Sequence, residues 1–63
     1  STGKNFQEIL LERRLMQAAD LLKSTDFTMD TIAFESGFSS TSYFFRQFKK
    51  YYNCTPKVYR KEN

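Results

Sequence analysis

Between Ser39 and Tyr52 the chain reads Ser-Ser-Thr-Ser-Tyr-Phe-Phe-Arg-Gln-Phe-Lys-Lys-Tyr-Tyr, which brings hydroxyls, aromatic rings and positive charge into one run. Hydroxyls beside a guanidinium and two ammonium groups suit hydrogen bonding to a polar, anionic partner. They do not suit covalent catalysis, because the 63-residue chain has no histidine and no other base stands near Ser39, Ser40 or Ser42 to activate a hydroxyl. With a single cysteine, Cys54, there is neither an internal disulfide nor the Cys/His set that most structural zinc sites use. A glycine-rich phosphate loop is also missing. The expectation is a protein that binds rather than catalyses, with no cofactor and no metal.

Charge supports an anionic partner. From Ser1 to Phe38 four bases stand against six acids, and from Ser39 onward six bases stand against Glu62 alone. A polyanion would be drawn to the second half; the bland alternative is that the lysines keep a small helical domain in solution. One cysteine fits a reducing, cytoplasmic setting. No apolar run approaches the roughly 18 residues needed to span a bilayer.

Helices must position this run. Asn5 followed by Glu8 has capping-box character, and the next nineteen residues contain no glycine or proline, so a helix is expected over about 6–23. Its apolar stripe is Leu11, Leu15, Ala18 and Leu22, with an additional patch at Phe6, Ile9 and Leu10 that makes the N-terminal end too broad for one packing face. Thr28 is a good N-cap for a second helix over about 29–36, whose inner face is Met29, Ile32 and Ala33. Gly37 supplies a positive φ for a sharp turn, and Phe38 would plug the corner.

A third helix follows over about 40–52, capped by Ser39 or Ser40 and stopped at Asn53. A 3.6-residue period puts Phe44, Phe48 and Tyr51 or Tyr52 on a packing stripe, and Thr41, Phe45 and Lys49, flanked by Ser42 and Arg46, on another. Thr55 and Pro56 open a short last helix to about Lys61. Basic aromatic helices also lie on anionic membranes, but here Phe44 and Phe48 are needed by Leu22, Ile32 and Ala33 for a core. No membrane partner is expected.

A short helix, a glycine turn and a second helix that opens with small polar residues form the helix-turn-helix arrangement. Within it, Ile32-Ala33, Gly37-Phe38, Ser42-Tyr43-Phe44, Arg46, Phe48-Lys49-Lys50, Thr55-Pro56 and Tyr59-Arg60 resemble the signature of the AraC/XylS family of bacterial transcription regulators. Arg14-Leu15, Ala18 and Leu21-Leu22 look like that family's linker helix, and Thr2-Gly3-Lys4 with Phe6 looks like the end of its first helix-turn-helix unit. The resemblance implies an all-α fold: a homeodomain-like three-helix unit preceded by a long linker helix. Residues 1–24 would be the end of the first unit plus the linker, and residues 25–63 the second unit. The patch at Phe6, Ile9 and Leu10 would then face a first unit that is not part of this stretch, and self-association through this end is expected.

The implied partner is double-stranded DNA, with RNA polymerase as a further contact of family activators. Carried over position by position, base contacts fall on Ser40, Thr41, Ser42, Phe45 and Arg46, and phosphate contacts on Thr28, Lys49 and Lys50. A guanidinium takes both acceptors of guanine in the major groove, which makes Arg46 the foremost reader; its competing assignment is a surface salt bridge to Asp30 or Glu35. Phe45 departs from the small polar residue expected there and either meets a thymine methyl or adds to the core. Asn53 stands where glycine is usual and tolerates the left-handed turn. The tyrosines are read as packing residues with wet hydroxyls, Arg60 as an anchor of the last helix, and Cys54 as a small half-buried hydrophobe.

Overall fold

The computed structural model of the chain describes residues 3–62, so Thr2 of the stretch expected to end a first helix-turn-helix unit lies outside the described residues. These residues form four helices and no strand: α1 (Phe6–Ser24), α2 (Met29–Glu35), α3 (Thr41–Tyr52) and α4 (Pro56–Glu62). The boundaries fall within about a residue of expectation, and each has a visible cause. Asn5 Oδ1 accepts from the Glu8 N–H at 2.8 Å while Glu8 Oε1 accepts from the Asn5 N–H at 3.0 Å, completing the capping box of α1. Thr28 and Ser40 each accept from the N–H three residues on, and Thr55 does the same for Val58. Ser40 is thus the cap of α3, and Ser36, expected as the last residue of α2, is its cap.

The turn after α2 is a Schellman motif. Gly37 has φ of 91°, its N–H donates to the Phe34 carbonyl at 3.1 Å, and the Phe38 N–H donates to the Ala33 carbonyl at 2.9 Å. That geometry aims Phe38 back into the core beside Ala33. A Cβ at Gly37 would also approach Arg14 Nε to 3.1 Å, so α1 lies close against the turn. Asn53, with φ of 65°, closes α3 in the expected left-handed conformation and donates its N–H to the Lys49 carbonyl.

Burial then seats α3. Leu15, Ala18, Ala19 and Leu22 of α1, Ile32 and Ala33 of α2, Phe38 of the turn, and Phe44 and Phe48 of α3 make one cluster. Phe44 lies 5.1 Å from the Phe38 ring and 5.7 Å from Phe48, which meets Tyr52 at 4.5 Å and Tyr59 at 5.3 Å between centroids. Of the two tyrosines expected on this stripe, Tyr52 packs and Tyr51 is exposed. Arg60 ties α4 to the end of α1: Nε donates to the Leu22 carbonyl at 3.0 Å and Nη2 to the Thr25 carbonyl at 3.1 Å. A cation placed there satisfies carbonyls the helix leaves open and opposes the negative end of its dipole.

Two substitutions test this architecture in opposite directions. Arg60→Ala removes two charge-assisted hydrogen bonds and should lower stability by about 1.5–3 kcal/mol in a urea titration. The Ser36 hydroxyl is buried with no hydrogen-bond partner, so Ser36→Ala should raise stability by about 1 kcal/mol and the melting temperature by roughly 4–8 °C.

Candidate nucleic-acid interface

With Phe44 and Phe48 fixed in the core, helical geometry decides what α3 shows to solvent, since each residue advances about 100° around the axis. Ser42, Arg46, Lys49 and Lys50 lie on the exposed side. Thr41 and Phe45 are half-buried at its margin, so the exposed stripe is centred on Ser42, Arg46 and Lys49 rather than on Thr41, Phe45 and Lys49. The cause is α2. Thr41 Oγ1 donates to Asp30 Oδ1 at 2.5 Å, and Phe45 packs against the core with its ring edge-on to Phe44 at 5.7 Å. Phe45 is half-buried, so its core contact leaves part of the ring at the surface.

Arg46 is exposed and, among the described residues, its side chain carries no ion pair or hydrogen bond. Neither acid that competed for it forms a salt bridge among the described residues, and Asp30 accepts from Thr41 instead. Lys49 and Lys50 likewise form no salt bridge among the described residues. Ser40 Oγ accepts from the Tyr43 N–H at 3.1 Å, which leaves its hydroxyl proton to donate outward. Thr28 is exposed, its hydroxyl accepting from the Thr31 N–H and donating to Thr31 Oγ1 at 3.0 Å. Tyr43, 5.9 Å from Phe38, is partly exposed next to Ser42 and adds a phenol to the same surface.

Two features escaped the sequence. Asp30, which the sequence offers only as a competitor for Arg46, bonds a threonine eleven residues on, and that bond depends on how α2 crosses α3. A groove of about 340 Å³ between α1 and α3 is lined by Glu8 and Glu12 together with Leu11 and Leu15. Both carboxylates there are engaged, Glu8 in the capping box and Glu12 by Lys4 Nζ, whose pKa is held above its ordinary value chiefly by that hydrogen bond. Among the described residues no group of three acids, cysteines or histidines is placed to hold a metal ion, and no helix is long and apolar enough to cross a membrane.

This arrangement is shared with known proteins. A family profile described as a helix-turn-helix domain matches residues 1–62. The transcriptional activator PerA of Escherichia coli O127:H6 is 46% identical over 54 residues, covering 86% of this chain and 20% of that protein. Rns, a DNA-binding dual transcriptional regulator of Escherichia coli, is 41% identical over 59 residues, covering 94% of this chain and 22% of its own length. The chain therefore spans about a fifth of the length of these relatives. In three dimensions it is similar to the C-terminal domain of the two-component response regulator yesN from Fusobacterium nucleatum, with a TM-score of 0.89 and 44% identity over 94% of this chain and 57% of that one. By sequence signature, by fold and by these relatives, the chain belongs to the helix-turn-helix domain family of AraC/XylS-type bacterial transcription regulators.

Proposed function

We propose that this chain is a sequence-reading DNA-binding unit of an AraC-type regulator, with α1 as the linker helix and residues 25–63 as the second helix-turn-helix, inserting α3 into one major groove. The observation that carries this reading is the unpaired Arg46 at the middle of the exposed face of α3, between Ser42 and Lys49. A B-form major groove about 12 Å wide admits a helix, and small residues at the helix start let its backbone come close to base edges. Arg46 takes the two acceptors of a guanine. Ser42 and Ser40 supply short hydroxyls near it, and Thr41 and the exposed edge of Phe45 border them on the α2 side. Lys49 and Lys50 lie against phosphates, as does the turn opened by Thr28, and these contacts set register and salt dependence without reading sequence.

A regulator that binds the bacterial chromosome works in the cytoplasm, and a contact with RNA polymerase would belong to the whole protein at its promoter. A second kind of contact is supported by the start of α1, where Phe6 is 76% exposed and Ile9 45% exposed beside half-buried Leu10. Apolar groups presented this openly favour self-association of the isolated chain through that end.

Arg46→Ala should weaken binding to a preferred duplex by about 1–3 kcal/mol and relax selectivity at one position, measured by fluorescence anisotropy on matched and mismatched sites. Lys49→Ala should weaken all sequences alike and reduce the slope of log K against log salt by about 0.9. Unchanged base preference in the arginine variant would contradict the role given to Arg46. Sedimentation should show the chain dimerising as concentration rises and Phe6→Asp abolishing it; a monomer at every concentration would refute association through α1.

A further inference from the structure

The hydrogen bond that joins α3 to α2 has a direction, and its direction has a consequence for base choice. A carboxylate accepts and does not donate, so the 2.5 Å contact between Thr41 Oγ1 and Asp30 Oδ1 commits the threonine proton to Asp30. What remains on Thr41 Oγ1 is its lone pairs. Asp30 is exposed and, among the described residues, has no cation in salt-bridge contact, so its carboxylate keeps both its charge and its free lone pairs beside the first residue of the reading helix. Beside a helix whose exposed charges are Arg46, Lys49 and Lys50, the Asp30 carboxylate and Thr41 Oγ1 present a pair of side-chain acceptors.

We propose that Asp30 and Thr41 together form a base-selecting element that accepts from the exocyclic amino group of cytosine or adenine and rejects the acceptor edges of guanine and thymine. The inference rests on the reading of α3 as the major-groove helix. In that groove cytosine N4 and adenine N6 are donors, whereas guanine N7 and O6 and thymine O4 are acceptors. An amino group brought to this corner meets two acceptor groups. A guanine or thymine edge meets lone pairs and a negative charge, and rejection of this kind sharpens specificity by penalising the wrong partner. The same charge is repelled by phosphate, which favours a base edge over the backbone as the neighbour of Asp30. Asp30 acts here both through its own oxygens and by fixing the polarity of Thr41.

The test is selection of bound sequences from random duplex DNA at about 50 mM salt, using the intact chain, Arg46→Ala, Asp30→Asn and Thr41→Val. The unsubstituted chain should enrich a motif with a guanine column that depends on Arg46 and, at a fixed offset, a column restricted to cytosine or adenine by about fivefold over guanine and thymine, the low end of single-mismatch effects. In Asp30→Asn the amide can accept from Thr41 or donate to it, so the hydroxyl is released to point either way, and the restricted column should admit guanine or thymine. Thr41→Val keeps the shape without the hydroxyl and should relax the same column while leaving the guanine column intact. Melting temperatures separate this from a merely structural tie, which would lower stability without altering either column. Retention of the cytosine-or-adenine column in both variants overturns the proposal, as does an Arg46-dependent motif that lacks that column in the unsubstituted chain. Absence of any motif in the unsubstituted chain would instead overturn the reading of α3 itself, and this inference with it.

Discussion

Everything on the outer surface of α3 depends on the burial of Phe44 and Phe48. Both rings are fully buried against Leu15, Leu22, Ile32 and Phe38, and together they fix the rotation of the helix about its own axis. Once that rotation is set, Ser42, Arg46 and Lys49 have no direction left except outward. The hydrophobic term that stabilises a domain this small is therefore the same term that aims its charged face. Tyr52 and Tyr59 extend the seat toward α4, and Lys23 lies 5.8 Å above the Tyr59 ring, so α1 and α4 are held on the far side of the same aromatic cluster.

A second constraint is backbone geometry at Gly37. A left-handed residue at that point lets α2 stop within one turn and sends Phe38 inward, and it brings the chain around so that Ser40 opens α3 beside Asp30. The charge pattern follows the same layout. Between Lys23 and Arg46 the chain has Asp26, Asp30 and Glu35 and no base, so α2 is acidic where α3 is basic. A polyanion approaching this molecule is drawn to α3 more strongly than to α2, which orients the encounter as well as strengthening it.

Much of this was legible in the residues because local chemistry decides local structure. Asn5 with Glu8, Thr28, Ser40, Asn53 and Thr55 mark helix ends through hydrogen bonds that span only a few residues, and those ends lie where expected. Gly37 and Phe38 behaved likewise. What was not legible depends on how helices cross. Thr41 and Phe45 share a face with Lys49 on an isolated helical wheel, yet Thr41 is tied to Asp30 of α2 and Phe45 packs on the core, which shifts the open face toward Arg46. The Asp30–Thr41 bond, the clasp of Arg60 on Leu22 and Thr25, and the burial of Ala19 beside the expected stripe each join parts of the chain whose distance apart no local pattern encodes.

The central claim is that the face of α3 opposite Phe44 and Phe48 is the surface that meets DNA. Amide and side-chain NMR shifts of the labelled chain, followed during titration with a short duplex enriched by selection, test it most directly. The account predicts that the largest changes fall on Ser40, Ser42, Arg46 and Lys49, with smaller ones around Thr28, while the α1 residues from Phe6 to Leu11 stay unmoved. Changes concentrated on α1, or spread evenly over every lysine with Arg46 unaffected, would contradict it.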